Sequence, residues 1–182
     1  DVLADYVREA GVPEDKITVI HNGVRQGFID EMLQTPIDIE KEEIVIGFTG
    51  FIHPWHGMDK AIEAIAEHKE LPLKLVCIGD GAILPELKQQ ALDLGIADKV
   101  EFKGLVTRDK VLEYVKNFDI ALQPDVTAYA SPLKMFEYMA VGSLIIAPNT
   151  SNIREILDDS TALFFDKGDQ LSFKAVLNEA IV

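Results

Sequence analysis

Ile44-Val45-Ile46-Gly47-Phe48-Thr49, then a helical-period stretch over residues 58–68, then Leu73-Lys74-Leu75-Val76-Cys77-Ile78: this order of strand, helix and strand decides the fold. Runs such as Ile44-Val45-Ile46 and Ile120-Ala121-Leu122 are continuously apolar rather than alternating, as strands buried on both faces require. The pattern repeats. Helical periods over 82–94, 107–117, 131–141 and 151–158 separate apolar runs at 100–102, 119–122, 144–147 and Ala162–Phe165, and another helical stretch follows from Gly168. Right-handed crossovers lay such helices on alternate faces of a parallel sheet, so the expected fold is α/β, a Rossmann-like doubly wound parallel sheet with helices on both faces.

Working outward, residues before about Lys41 fit the repeat less well. Residues 1–10 read as a helix, and Ile17-Thr18-Val19-Ile20 as a strand ending in the turn His21-Asn22-Gly23, before a polar stretch with Pro36. This divides the chain into 1–40, a connector and remnant of a neighbouring domain, and 41–182, the sheet domain. The chain opens Asp1-Val2-Leu3-Ala4 rather than with Met and stops at Ile181-Val182 inside an amphipathic pattern, which suggests a piece of something longer.

With 182 residues and 48% hydrophobic content the chain suits one ordinary domain with a sizeable core. A net charge of −14 repels nucleic acid and anionic membrane surfaces, so any phosphate-bearing ligand has to be held by local groups. No apolar run approaches the ~18 residues of a membrane span. The single cysteine, Cys77, reads as a buried strand thiol with no intrachain disulfide partner. A cytoplasmic setting is expected, with any membrane contact made through a missing half.

Open sheets of this kind bind ligands beyond the carboxyl ends of their strands. The most informative of those loops leads into Ser131-Pro132-Leu133-Lys134-Met135-Phe136-Glu137. Ser131 suits an N-cap and Pro132 the first helical position. A capping box would then place an acid where Lys134 stands, and a cation in the first turn opposes the helix dipole. A bound anion resolves the conflict by accepting the free first-turn amides and pairing with the ammonium, which marks a candidate diphosphate site. Glu137 follows on an otherwise apolar helix, where a carboxylate needs partners such as the two hydroxyls of a ribose. The competing reading pairs Lys134 with Glu137 on a solvated face. Ser131-x-x-Lys134 also matches a serine-acylase signature, but the chain has no S-D-N or K-T-G element to accompany it.

The loop Thr49-Gly50-Phe51-Ile52-His53-Pro54-Trp55-His56-Gly57 offers Gly50 for close backbone approach and His53 and His56 as donors to phosphate or sugar oxygens. His53, His56 and Asp59 are too ordinary a set to argue for a metal, and none is expected. Trp55 is expected to pack the loop onto the body. Gly79-Asp80-Gly81 has Leu84 where a dinucleotide fingerprint needs glycine, so its glycines read as a tight turn. His21 and His68 read as structural.

Together these runs resemble the C-terminal domain of family 4 glycosyltransferases, the retaining enzymes of the GT-B fold. The runs that carry the likeness are 17–24, Ile46-Gly47-Phe48-Thr49-Gly50 through His56-Gly57, residues 75–81, Val100–Gly104 and 131–142, in the family's order. The resemblance implies a donor site between two domains, with Glu137 on the ribose hydroxyls, Leu133 and Lys134 on the diphosphate, and the backbone around Leu105 and Val106 on the nucleobase edge. Gly50 would let the phosphates sit close. This chain departs from the family at three positions. Tyr129 stands where many members carry a glutamate against the donor sugar, and Phe51 and His56 stand where Arg and Lys are common. A histidine at 56 would make donor affinity rise as pH falls.

The implied activity is that of the donor-binding half of a hexosyltransferase of the kind used in polysaccharide biosynthesis. It would move a sugar from UDP, GDP or ADP with retention, without a cofactor, and with no catalytic residue in this piece. Its partners would be the nucleotide sugar and the missing N-terminal acceptor domain, not nucleic acid. Two alternatives fit the same residues: a degenerate nucleotide-binding or regulatory module, and a nucleotide-sugar epimerase.

Overall fold

The computed structural model describes residues 1–34 and 41–181. The expected strands form: β1 Ile44–Thr49, β2 Leu73–Ile78, β3 Val100–Gly104, β4 Ile120–Leu122, β5 Leu144–Pro148 and β6 Ala162–Phe165, in one sheet of order β3-β2-β1-β4-β5-β6. Every pairing is parallel. The helices are α1 Val2–Glu9, α2 Gln26–Gln34, α3 Met58–Glu67, α4 Leu84–Asp93, α5 Arg108–Val115, α6 Leu133–Val141, α7 Ser151–Arg154 and α8 Gln170–Ile181. The sheet expectation therefore holds, with helix ends moved by a residue or two and α7 shorter than the pattern over 151–158 suggested.

Two apolar layers flank the sheet. On one face α3, α4 and α8 bury Ile62, Ile65, Leu87, Phe173 and Leu177 against Ile46, Phe48 and Leu75. On the other, α5, α6 and α7 bury Leu112, Met135, Tyr138 and Ile153 against Val76, Ala121 and Ile145. The chain winds outward from β1 to β3, then returns to lay β4 on the free side of β1. Strand order thus reverses between β1 and β4, the kind of switch point beyond whose strand ends open sheets bind ligands.

The N-terminal segment differs from its sequence reading. Asp1 caps α1, its carboxylate accepting the Ala4 amide at 3.0 Å. Residues 17–20 form no strand and join no ladder of the sheet. Where a polar stretch was expected, α2 forms and packs Phe28 into the α5–α6 layer. Pro36 and the proposed boundary at 40/41 touch residues 35–40, outside the described residues.

Candidate functional site

At the switch point the end of β1 meets the start of α6, and the start of α5 meets α6 one turn further along. Gly50 follows β1 with φ +130°. Its loop and the loop after β2 are bound backbone to backbone: the Gly50 amide donates to Ile78 O at 2.9 Å and the Ile52 amide to Asp80 O at 2.8 Å. A Cβ on Gly79 would lie 2.0 Å from Gly50 O, and one on Gly81 2.0 Å from Ile52 O. These glycines therefore permit contact between two loops rather than a tight turn alone.

Helix α6 reaches across to the same point. Lys134 Nζ donates to Thr49 O at 3.0 Å and stands 4.1 Å from the centroid of the Phe48 ring. One turn later the Tyr138 hydroxyl accepts the Thr49 amide at 2.9 Å and lies 3.0 Å from Thr49 Oγ1. The last residue of β1 is thus held at its N–H, hydroxyl and carbonyl by one helix. Burial lowers the Lys134 pKa from 10.5 to about 7, because the ammonium has left water without gaining an anion.

The capping expectation is corrected. Helix α6 starts at Leu133, Pro132 occupies the N-cap with φ −68° and ψ 112°, and no side chain caps the first turn. Ser131 lies one residue too early and instead accepts a hydrogen bond from Asn22 Nδ2 at 3.1 Å. Proline fixes an extended entry to the helix, which turns the serine hydroxyl toward the connector and leaves the amides of Leu133 and Lys134 without a capping oxygen. The pairing of Lys134 with Glu137 does not occur either. Lys134 turns to Thr49, while Glu137, buried on the same helix, pairs its Oε1 with Arg108 Nη2 at 2.7 Å. Burial raises the Glu137 pKa, and Arg108 and Arg25 pull against that rise.

His56 sits beside Lys134. It lies in a one-turn 3-10 helix, Pro54–His56, with its ring centroid 5.2 Å from that of Phe48. Nδ1 accepts the His53 amide at 3.2 Å. Burial first, then the neighbouring charges of Lys134 and His53, lower its pKa from 6.5 to about 4. The ring is therefore neutral across the neutral range, and the expected rise in affinity from its protonation near neutrality does not follow. Trp55 is also corrected: it is 58% exposed rather than packed on the body, and it stacks on His53 with centroids 4.2 Å apart and planes 8° apart.

Not all the sequence candidates converge. Gly50, His56 and Lys134 form one cluster, and Leu133 and Glu137 of α6 form a second with Arg108 of α5. Phe51 and Leu105 are exposed on neighbouring loops, and Val106 is partly buried against the α5–α6 layer. Tyr129 lies apart, edge-on to Tyr6 of α1 at 6.3 Å, and with Ser131 it lines a cavity of ≈ 310 Å³ between α1, residues 17–22 and α7. His21 is at that cavity's rim, while His68 joins α3 to α8 through Asn178 at 3.2 Å. Cys77 is fully buried, its thiol pKa pushed up to about 12. Arg108, Arg25 and Tyr138 were not singled out from sequence. The only available signal for Arg108 was a cation in the first turn of a helix, the feature that drew attention to Lys134. Among the described residues no group of three or more His, Cys, Asp or Glu could hold a metal, and no helix is long and apolar enough to cross a membrane.

Residues 43–181 match the family described as Glycosyl transferases group 1, and the chain belongs to that family. An uncharacterized glycosyltransferase of Methanocaldococcus jannaschii is 28% identical over 154 residues, covering 80% of this chain and 39% of the relative. Among solved structures, WaaG, a glycosyltransferase involved in lipopolysaccharide biosynthesis, superposes with TM-score 0.78 at 19% identity, over 98% of this chain and 51% of that one. Anabaena HepE in complex with UDP superposes with TM-score 0.73 at 19% identity, with the same coverage. The fold is the Rossmann-like sheet of GT-B glycosyltransferases. The chain spans about two fifths of the archaeal relative and about half of each crystallised chain.

Proposed function

We propose that this chain is the donor-binding half of a two-domain retaining hexosyltransferase of family 4, with residues 41–182 as the donor domain and 1–40 as connector and remnant of the acceptor domain. The observation that carries this is the uncapped start of α6 beside Gly50, with Lys134 drawn to the same spot and a buried carboxylate, Glu137, one turn along. The amides of Leu133 and Lys134 and the Lys134 ammonium would hold the diphosphate. Glu137 would accept the ribose hydroxyls, and the backbone at Leu105 and Val106 would face the base. Phe51 and His53 would flank the sugar. The UDP held by the related HepE favours uridine over guanosine or adenosine.

The chemistry needs the acceptor half to close the cleft and exclude water, so this piece binds nucleotide and transfers nothing by itself. The test is calorimetric titration of UDP, GDP and ADP into the parent chain, Lys134→Ala and Glu137→Ala. UDP binding that weakens about tenfold or more in each variant, the loss of one charge-assisted contact, is the expected result. A parent chain that binds none of the three is no transferase half. Tyr129, set toward α1 in place of a carboxylate, favours that second reading of a degenerate module.

A further inference from the structure

Glu137 has one charged hydrogen-bond partner among the described residues, and it comes from a different helix. Arg108 opens α5, directly after the Leu105–Val106 loop and its N-cap Thr107. A cation there opposes the helix dipole, so its position is held by what it meets. It meets Glu137 Oε1 at 2.7 Å. The guanidinium is 68% exposed while the carboxylate is 8% exposed, so the pair is wet on one side and dry on the other. Arg25, before α2, faces the same carboxylate at longer range. Gly23, Val24, Arg25, Phe28, Arg108, Leu133 and Glu137 enclose a cleft of ≈ 30 Å³, room for about one water. A ribose ring would therefore lie at its mouth, with only its hydroxyls reaching in.

We propose that Arg108 is a positioning residue for the ribose subsite: it grips one oxygen of Glu137 and leaves the other oriented and charged for the diol of the donor. This rests on the donor-binding reading above. A buried carboxylate without a cation gives up its charge and its fixed rotamer, and a diol then loses both strength and direction of contact. The groups that face Glu137 are Arg108 from α5, Arg25 from the segment before α2, and the Tyr138 phenol from α6 itself. Of these, Arg108 makes the direct bond.

The experiment compares UDP with 2′-deoxy-UDP by calorimetry on the parent chain, Arg108→Met, Arg108→Gln and Arg108→Lys, from acid to mildly alkaline pH, with thermal midpoints recorded alongside. The parent should prefer UDP. In Arg108→Met and Arg108→Gln that preference should fall about tenfold, the worth of one charge-assisted bond, while 2′-deoxy-UDP binding stays nearly level. The acid limb of UDP affinity should move to higher pH in both, and Arg108→Lys should restore part of the preference. A purely structural role would instead lower the midpoint and weaken both nucleotides alike, which overturns the proposal. An unchanged preference in both uncharged variants also overturns it while leaving the donor site intact. A parent that binds UDP and 2′-deoxy-UDP equally removes Glu137 from the 2′-hydroxyl and overturns this proposal, whereas a parent that binds neither overturns the donor-binding reading as well.

Discussion

Lys134 Nζ lies 3.0 Å from Thr49 O, so the first turn of α6 is tied to the last residue of β1 across the point where strand order reverses. The ammonium is spent on a neutral carbonyl and an aromatic face and pairs with no carboxylate among the described residues, and its pKa falls to about 7. This arrangement is poised to gain from a negatively charged ligand.

Nucleoside diphosphate binding should therefore take up protons. The incoming charge raises the Lys134 pKa back toward its free value, so above about pH 7 binding recruits a proton and affinity falls as pH rises. Titration of UDP at mildly alkaline pH in two buffers of different ionisation enthalpy should report uptake of up to one proton. Lys134→Met should show none.

The same depressed pKa links to stability. Between about 7 and 10.5 the unfolded chain holds a proton on Lys134 that the folded chain has released, so stability from this group rises with pH through that window, and below it the full cost of burying the ammonium remains. Lys134→Met should flatten that rise. Urea midpoints of parent and variant on either side of neutrality measure the difference.

His56, held to about 4, stays neutral where Lys134 titrates. His56→Gln should therefore keep the parent's pH response, the fall in UDP affinity above about pH 7 set by Lys134, while shifting affinity. A pH response lost in His56→Gln and kept in Lys134→Met would reverse the assignment.

Tyr138→Phe removes the one hydroxyl that meets both the amide and the side chain of Thr49 in a fully buried position. Leaving the amide unpaired should cost about 1–3 kcal/mol. Denaturant unfolding gives the loss, and a parallel fall in UDP affinity would show that the Gly50 loop has moved.

Gly79→Ala places a methyl 2.0 Å from Gly50 O at a φ of +132°. Strain plus overpacking should cost about 2–4 kcal/mol, read from the thermal midpoint. The damage should reach the nucleotide site, because the displaced backbone is that of Gly50.

By itself the sequence determined the sheet. Continuous apolar runs such as Ile44–Thr49 and Leu73–Ile78 can be buried on both faces only in a parallel, helix-covered sheet, and that local signal places the site loops at the strand ends. It also marked Lys134 and Glu137 as residues out of keeping with their helix. Only the tertiary structure decided their partners. Thr49 and Lys134 are 85 residues apart, and Arg108 and Glu137 are 29 apart, so no periodicity links them. The same holds for Ile17-Thr18-Val19-Ile20, which joins no ladder of the sheet despite its strand-like composition, and for Ser131, whose cap was pre-empted by Pro132. Local preference fixes which elements form, whereas ladders, ion pairs and caps depend on what packing brings alongside.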